Sequence, residues 1–242
     1  MMKYAVVTGA DRGLGYALTV QLLDAGYTVF AGQFMPDWPA LDRLKEERGE
    51  RLIVLPLDIS NGSSVGEAAA RIAALTDRVD LLVNNAGLGG DYTSSIFGEI
   101  DYERLERIYR VNAMGPLRVT QALNAPLLQG EHKLVVNISS EAGQINQASR
   151  EGWYGYCMSK AALNIQSNIL HNQLRKHGGK VLVIHPGWMQ SYISGTLNES
   201  AAITPDEAAT GIMSIIGEYV AETTDRKHPA FRDYSGAEMS WT

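Results

Sequence analysis

Tyr156 and Lys160 stand four residues apart in a stretch, residues 156–175, that reads as a helix, so both side chains fall on one face. A free phenol titrates near ~10 and is a poor acid or base at neutral pH. A neighbouring ammonium favours the phenolate, and such a tuned phenol can pass a proton to or from a substrate oxygen. Tyr154 is the rival phenol, but its partner one turn on is Met158, which carries no charge. A second candidate is Asn112. Leu105, Ile108, Asn112, Gly115 and Val119 recur at three- and four-residue spacings, which puts Asn112 on the inward face of a helix over 102–123. A buried amide must find partners. Pro116 has no N–H to give the Asn112 carbonyl, so the helix should kink and that carbonyl is free to hold a water.

The run Thr8-Gly9-Ala10-Asp11-Arg12-Gly13-Leu14-Gly15 carries different chemistry. It follows an apolar strand and opens a helix. Glycines there allow a sharp turn and close backbone approach to a pyrophosphate, which the free N–H groups and positive dipole end of the helix attract. The spacing is G-x-x-x-G-x-G rather than G-x-G-x-x-G.

These groups need a frame. Strands are expected at 4–8, 27–31, 52–57, 80–83, 133–139, 180–185 and 230–234, and helices at 15–25, 65–75, 102–123, 156–175 and 204–220. The strands are continuous apolar runs such as Leu-Ile-Val-Leu, as in strands buried on both faces. Strand–helix alternation then predicts an α/β fold, a Rossmann-like doubly wound parallel sheet with helices on both faces. Thr204-Pro205-Asp206-Glu207 has the form of a capping box with Pro at the first helical position. No linker or repeat divides residues 1–242, which read as one domain. The stretch 188–203 reads as a loop at the carboxyl edge of the sheet, where ligands of such sheets bind.

Bulk properties exclude other classes. The net charge is −6 and no Lys/Arg stripe is present, which argues against nucleic acid. The longest apolar runs are too short to span a bilayer, and the N-terminus is too short for a signal peptide. A single cysteine, Cys157, permits no internal disulfide. A cytoplasmic, soluble protein is expected. The five histidines show no metal-ligand spacing, so no metal is expected. No G-x-S-x-G nucleophile motif occurs.

Taken in order, Thr8–Gly15, Asn84-Asn85-Ala86-Gly87, Asn112, Ser139-Ser140, Tyr156 with Lys160, and Pro186-Gly187 resemble the landmarks of the short-chain dehydrogenase/reductases, over essentially the whole chain. The tail Phe231-Arg232-Asp233-Tyr234-Ser235-Gly236, with Trp241, is similar to the branch containing C-factor-like proteins. The resemblance implies reversible hydride transfer between NAD(P)(H) and a small-molecule carbonyl or alcohol. It implies catalytic Asn112, Ser140, Tyr156 and Lys160, with the Asn112 carbonyl holding a relay water and Lys160 also holding the nicotinamide ribose. Ser140 is preferred to Ser139 as the partner of the substrate oxygen. It precedes Tyr156 by more residues than is usual in the family, and 141–153 are read as a surface excursion holding the extra length. The cofactor would lie on Gly9, Asp11, Arg12, Gly13, Leu14 and Gly15, on Asp58 and Ile59 at the adenine, on Asn85, Ala86 and Gly87, and on Pro186, Gly187, Trp188, Met189 and Ser191 at the nicotinamide. His185 is expected in the core. By resemblance the two long helices pair across a two-fold axis. With Leu163, Leu170 and Leu174 as apolar positions beyond one core face, a homodimer or homotetramer is expected.

NADP(H) is favoured over NAD(H). No acid stands at Ala31-Gly32-Gln33-Phe34 to bond a ribose 2′-hydroxyl, Asp37 lies beyond Pro36, and Arg12 can reach a 2′-phosphate. Asp11 adds an opposing charge. Trp153, Tyr154, Trp188 and Tyr192 flank the expected pocket and suit an apolar or aromatic substrate. Two other readings stand beside the enzyme. One is a non-catalytic NAD(P)-binding signalling or redox-sensing protein, which would not need all four catalytic residues. The other is an enoyl reductase, disfavoured because those relatives space Tyr and Lys more widely.

Overall fold

A computed structural model describes residues 2–90, 93–146 and 150–242. Among them, seven strands form one sheet: β1 (Lys3–Val7), β2 (Tyr27–Gln33), β3 (Leu52–Pro56), β4 (Leu81–Asn84), β5 (Leu134–Ile138), β6 (Lys180–His185) and β7 (Ala230–Asp233). Every pairing is parallel and the order is β3-β2-β1-β4-β5-β6-β7. The helices are α1 (Gly13–Asp24), α2 (Ala40–Arg48), α3 (Gly62–Ala73), α4 (Tyr102–Tyr109), α5 (Gly115–Ala122), α6 (Asn124–Gln129), α7 (Tyr154–Leu174) and α8 (Pro205–Ala221).

Successive residues of a strand point to opposite faces. In β6, Leu182 and Ile184 join a core with α1, α2 and α8, whereas Val181 and Val183 join one with α3, α5 and α7. Both faces are covered, which is why the strands carry unbroken apolar runs. The chain reverses its direction of travel across the sheet between β1 and β4, and this switch opens a crevice at the carboxyl ends of the strands.

The expected fold class stands, and most strand ends fall within one or two residues of those read from the sequence. Two helices, α2 and α6, were not expected. In α2 only Leu41 and Leu44 are buried among charged neighbours, too short a pattern to signal a helix. The expected helix over 102–123 divides into α4, a π-helical segment Arg110–Met114, and α5, with Pro116 in the first turn of α5. The widened turn lies where Pro116 withholds the N–H that an α-helix would direct to Asn112. Thr204 and Glu207 form the expected capping box on α8.

Candidate active site

The crevice holds a cavity of about 790 Å³. All the residues assigned to the cofactor from the sequence line it, together with Ser140, Tyr156 and Lys160.

At one end is the glycine-rich turn between β1 and α1. Gly9 has φ +63°, a left-handed conformation that a side chain would strain, and a Cβ on Gly15 would lie 2.1 Å from the Gly9 carbonyl oxygen. The turn is braced from β4: Asn85 Nδ2 donates to the carbonyls of Thr8 and Gly9, both at 3.0 Å. The Thr8 hydroxyl accepts from the N–H groups of Asn85 and Ala86. No side chain caps the N-terminus of α1, whereas Asn61, Asp101 and Thr204 cap α3, α4 and α8. Close backbone approach, an uncapped helix N-terminus and a cavity of this size fit a dinucleotide diphosphate. Asp11 is turned inward, accepting from the N–H groups of Phe34 (3.1 Å) and Met35 (2.7 Å). Asp58, further along the rim, is held by Ser60.

At the other end, α7 presents Tyr156 and Lys160. Lys160 is buried, its Nζ donates to the Ile138 carbonyl at 2.8 Å, and it lies 5.7 Å from the Tyr156 ring centroid. Burial pushes its ammonium down to about 8, so it remains mostly charged at neutral pH. Asn112 stands behind this wall rather than in it. Its amide exchanges 2.8 Å hydrogen bonds with both backbone groups of Leu88 and donates to Ser159 Oγ at 3.0 Å. The buried amide anticipated from the helical spacing thus has its partners, and it ties the segment after β4 to α7.

The two serines separate. Ser139 donates to Asn164 Oδ1 in the interior at 2.6 Å. Ser140 donates to Glu141 Oε2 at 2.6 Å and accepts from the Ala142 N–H. Glu141 also pairs with Arg150. Burial raises the Glu141 carboxyl, but the Ser140 hydrogen bond, His185 and Arg150 together bring it below its ordinary range. His185, expected in the core, instead lines the cavity, with Nδ1 3.4 Å from Glu141 Oε2 but no hydrogen bond between them. Burial holds this imidazole below its usual range.

The excursion over 141–153 therefore begins inside the cleft, with Ala142 and Gly143 buried; its residues 147–149 lie outside the described ones. It ends at Trp153, whose φ of +67° is unusual for a bulky side chain. Trp153, Trp188 and Tyr192 line the cavity; Tyr154 does not. Glu141, which also lines the cavity, was left unassigned by the sequence, and no local spacing marks it. Among the described residues no group of three His, Cys, Asp or Glu could hold a metal, and no helix is long and apolar enough to cross a membrane.

Residues 3–202 match the family model described as short chain dehydrogenase. The chain is 35% identical over 166 residues to the C-signal of Myxococcus xanthus, covering 69% of this chain and 95% of that protein. It is 29% identical over 242 residues to 1-hydroxy-2-glutathionyl-2-methyl-3-butene dehydrogenase of Rhodococcus sp. (strain AD45), covering 99% and 100%. Among solved structures, it superposes on NADPH-bound carbonyl reductase from chicken fatty liver with a TM-score of 0.86 at 27% identity, covering 99% of each chain. An NADP-bound short-chain dehydrogenase/reductase from Burkholderia multivorans gives 0.83 at 26%, covering both chains fully.

Proposed function

The chain belongs to the short-chain dehydrogenase/reductase family and is an NAD(P)-dependent oxidoreductase acting on CH–OH or carbonyl groups, and on that premise we propose that Tyr156 is its general acid/base. The observation that carries this reading is the buried Lys160 ammonium beside the Tyr156 ring on the wall of the cavity. The nicotinamide cofactor, when bound, supplies or accepts the hydride. In the reductive direction Tyr156 gives its proton to the carbonyl oxygen; in the oxidative direction it takes the proton of the alcohol. Lys160 spends one N–H on Ile138 and keeps two for the Tyr156 oxygen and the nicotinamide ribose. Ser140 steadies the substrate oxygen, which requires its hydroxyl to swing its hydrogen bond away from Glu141 Oε2. The Asn112 carbonyl, denied an N–H by Pro116, holds the water that returns protons to Lys160. Trp153 and Trp188 favour an apolar or aromatic substrate, whereas the Tyr192 ring packs on Arg12 beside the glycine-rich turn.

NADP(H) is the preferred cofactor in this reading. It is supported by Arg12 lining the cavity, by the carboxylate of Asp11 being occupied by two backbone N–H groups, and by two structural relatives described with NADPH or NADP.

The test is cofactor consumption with a panel of carbonyl compounds, wild type against Tyr156→Phe. Turnover should fall ~10²-fold or more while cofactor still binds. Near-normal turnover in the variant would sink the assignment.

A further inference from the structure

Arg12 packs against two aromatic rings that come from different segments of the chain. Its guanidinium carbon lies 4.9 Å from the Trp38 ring centroid and 4.3 Å from that of Tyr192. The two rings themselves meet edge-on, with centroids 5.4 Å apart. Among the described residues no carboxylate is within ion-pair distance of Arg12. Asp11, its neighbour, is committed to Phe34 and Met35.

The two rings have different origins. Trp38 follows β2, at the rim where the adenosine end of a dinucleotide lies in folds of this kind. Tyr192 belongs to the segment over 186–203, which also carries Gly187, Trp188 and Ser191 at the opposite end of the cavity. That segment is pinned by Gln190 N–H donating to the Ile203 carbonyl at 2.8 Å and by Gly89 N–H donating to the Ile193 carbonyl at 3.0 Å. The Arg12 stack is a further tie, on the side facing β2.

Aromatic faces attract a guanidinium and leave its N–H groups pointing outward in the plane, the geometry that meets phosphate oxygens. Restricting the side chain beforehand also lowers the entropy lost on binding an anion. We propose that Trp38 and Tyr192 are specificity-determining residues for the cofactor. They hold Arg12 for the adenosine 2′-phosphate, and through Tyr192 they couple recognition of that phosphate to the position of the 186–203 segment. The proposal rests on the NADP(H) reading above and adds to it two residues and a coupling.

The experiment titrates NADPH and NADH into the intact protein for wild type, Arg12→Ala, Trp38→Ala, Tyr192→Ala and Tyr192→Phe, with circular dichroism as the check on folding. Wild type should prefer NADPH by about 10- to 100-fold, and Arg12→Ala should abolish the preference. Trp38→Ala and Tyr192→Ala should each lower the preference by about 3- to 10-fold, and Tyr192→Phe, which keeps the ring, should retain it. Hydrogen exchange supplies the second readout. Adenosine 2′,5′-bisphosphate should protect residues 186–203 more than adenosine 5′-monophosphate does in wild type, and equally little in Tyr192→Ala. If Arg12→Ala loses the preference and both aromatic deletions keep it, the pairing is overturned and the NADP(H) reading survives. If wild type shows no preference and Arg12→Ala changes nothing, both fall.

Discussion

At Lys160, packing and chemistry oppose one another. Its ammonium is fully buried and burial lowers it from the usual 10.5 to about 8. The folded protein therefore gives up this proton at lower pH than the unfolded chain does. Below about pH 8 the burial penalty stands in full, on the order of 3 kcal/mol for the shift from 10.5 to about 8. Between about 8 and 10.5 the folded state binds fewer protons than the unfolded one, so this contribution to stability rises with pH. Cofactor-free Lys160→Met should accordingly be more stable than wild type at pH 7, with the gap closing as pH climbs through that window. Paired urea melts from pH 7 to 10.5 check this; a gap that stays constant or widens would contradict it. The same variant should lose turnover, since an apolar side chain cannot assist Tyr156.

At the scale of elements, the turn from β1 into α1 is a joint with little tolerance. A Cβ at Gly15 would lie 2.1 Å from the Gly9 oxygen and 2.5 Å from Asn85 Nδ2, so Gly15→Ala must push the turn off its brace from β4. We expect a destabilisation of about 1–3 kcal/mol, as for other overpacked sites, and a larger loss of cofactor affinity than of fold. Thermal melts and cofactor titration on the same preparation separate the two effects. An Ala variant with wild-type cofactor affinity would show that the backbone there is not shaped for a ligand. The long helix before β5 shows the opposite case, where irregularity is local and readable: Pro116 announces the widened turn of Arg110–Met114.

For the whole molecule, α7 has two apolar faces. Leu163, Leu170 and Leu174, expected to stand beyond the core, are buried in the monomer. The exposed apolar positions are Met158 (51%), Ile165 (60%) and Ile169 (54%), at spacings that share one face, with Leu117 of α5 also exposed (48%). The correction moves the expected interface to these residues without removing it. A self-complementary pairing of this face would bury them across a two-fold axis. Sedimentation at micromolar concentration should give a dimer or tetramer for wild type and a smaller species for Ile165→Glu with Ile169→Glu. Monomeric wild type would refute the assembly.

The amino-acid sequence by itself determined the doubly wound sheet, the glycine turn and the pairing of Tyr156 with Lys160. Each of these is written in local order: apolar runs, strand–helix alternation, and a four-residue step along one helix. The inward face of Asn112 was legible for the same reason. Only the tertiary structure decided what depends on distant segments meeting. It turned Ser139 into the interior and Ser140 toward Glu141. It brought His185 out of the core to face that carboxylate, and it faced Leu163, Leu170 and Leu174 inward. It also packed Arg12 against Trp38 and Tyr192. An isolated helix has no inside until a sheet is laid against it, and a guanidinium has no preferred ring until two remote loops close on one crevice. Periodicity along the chain records neither event.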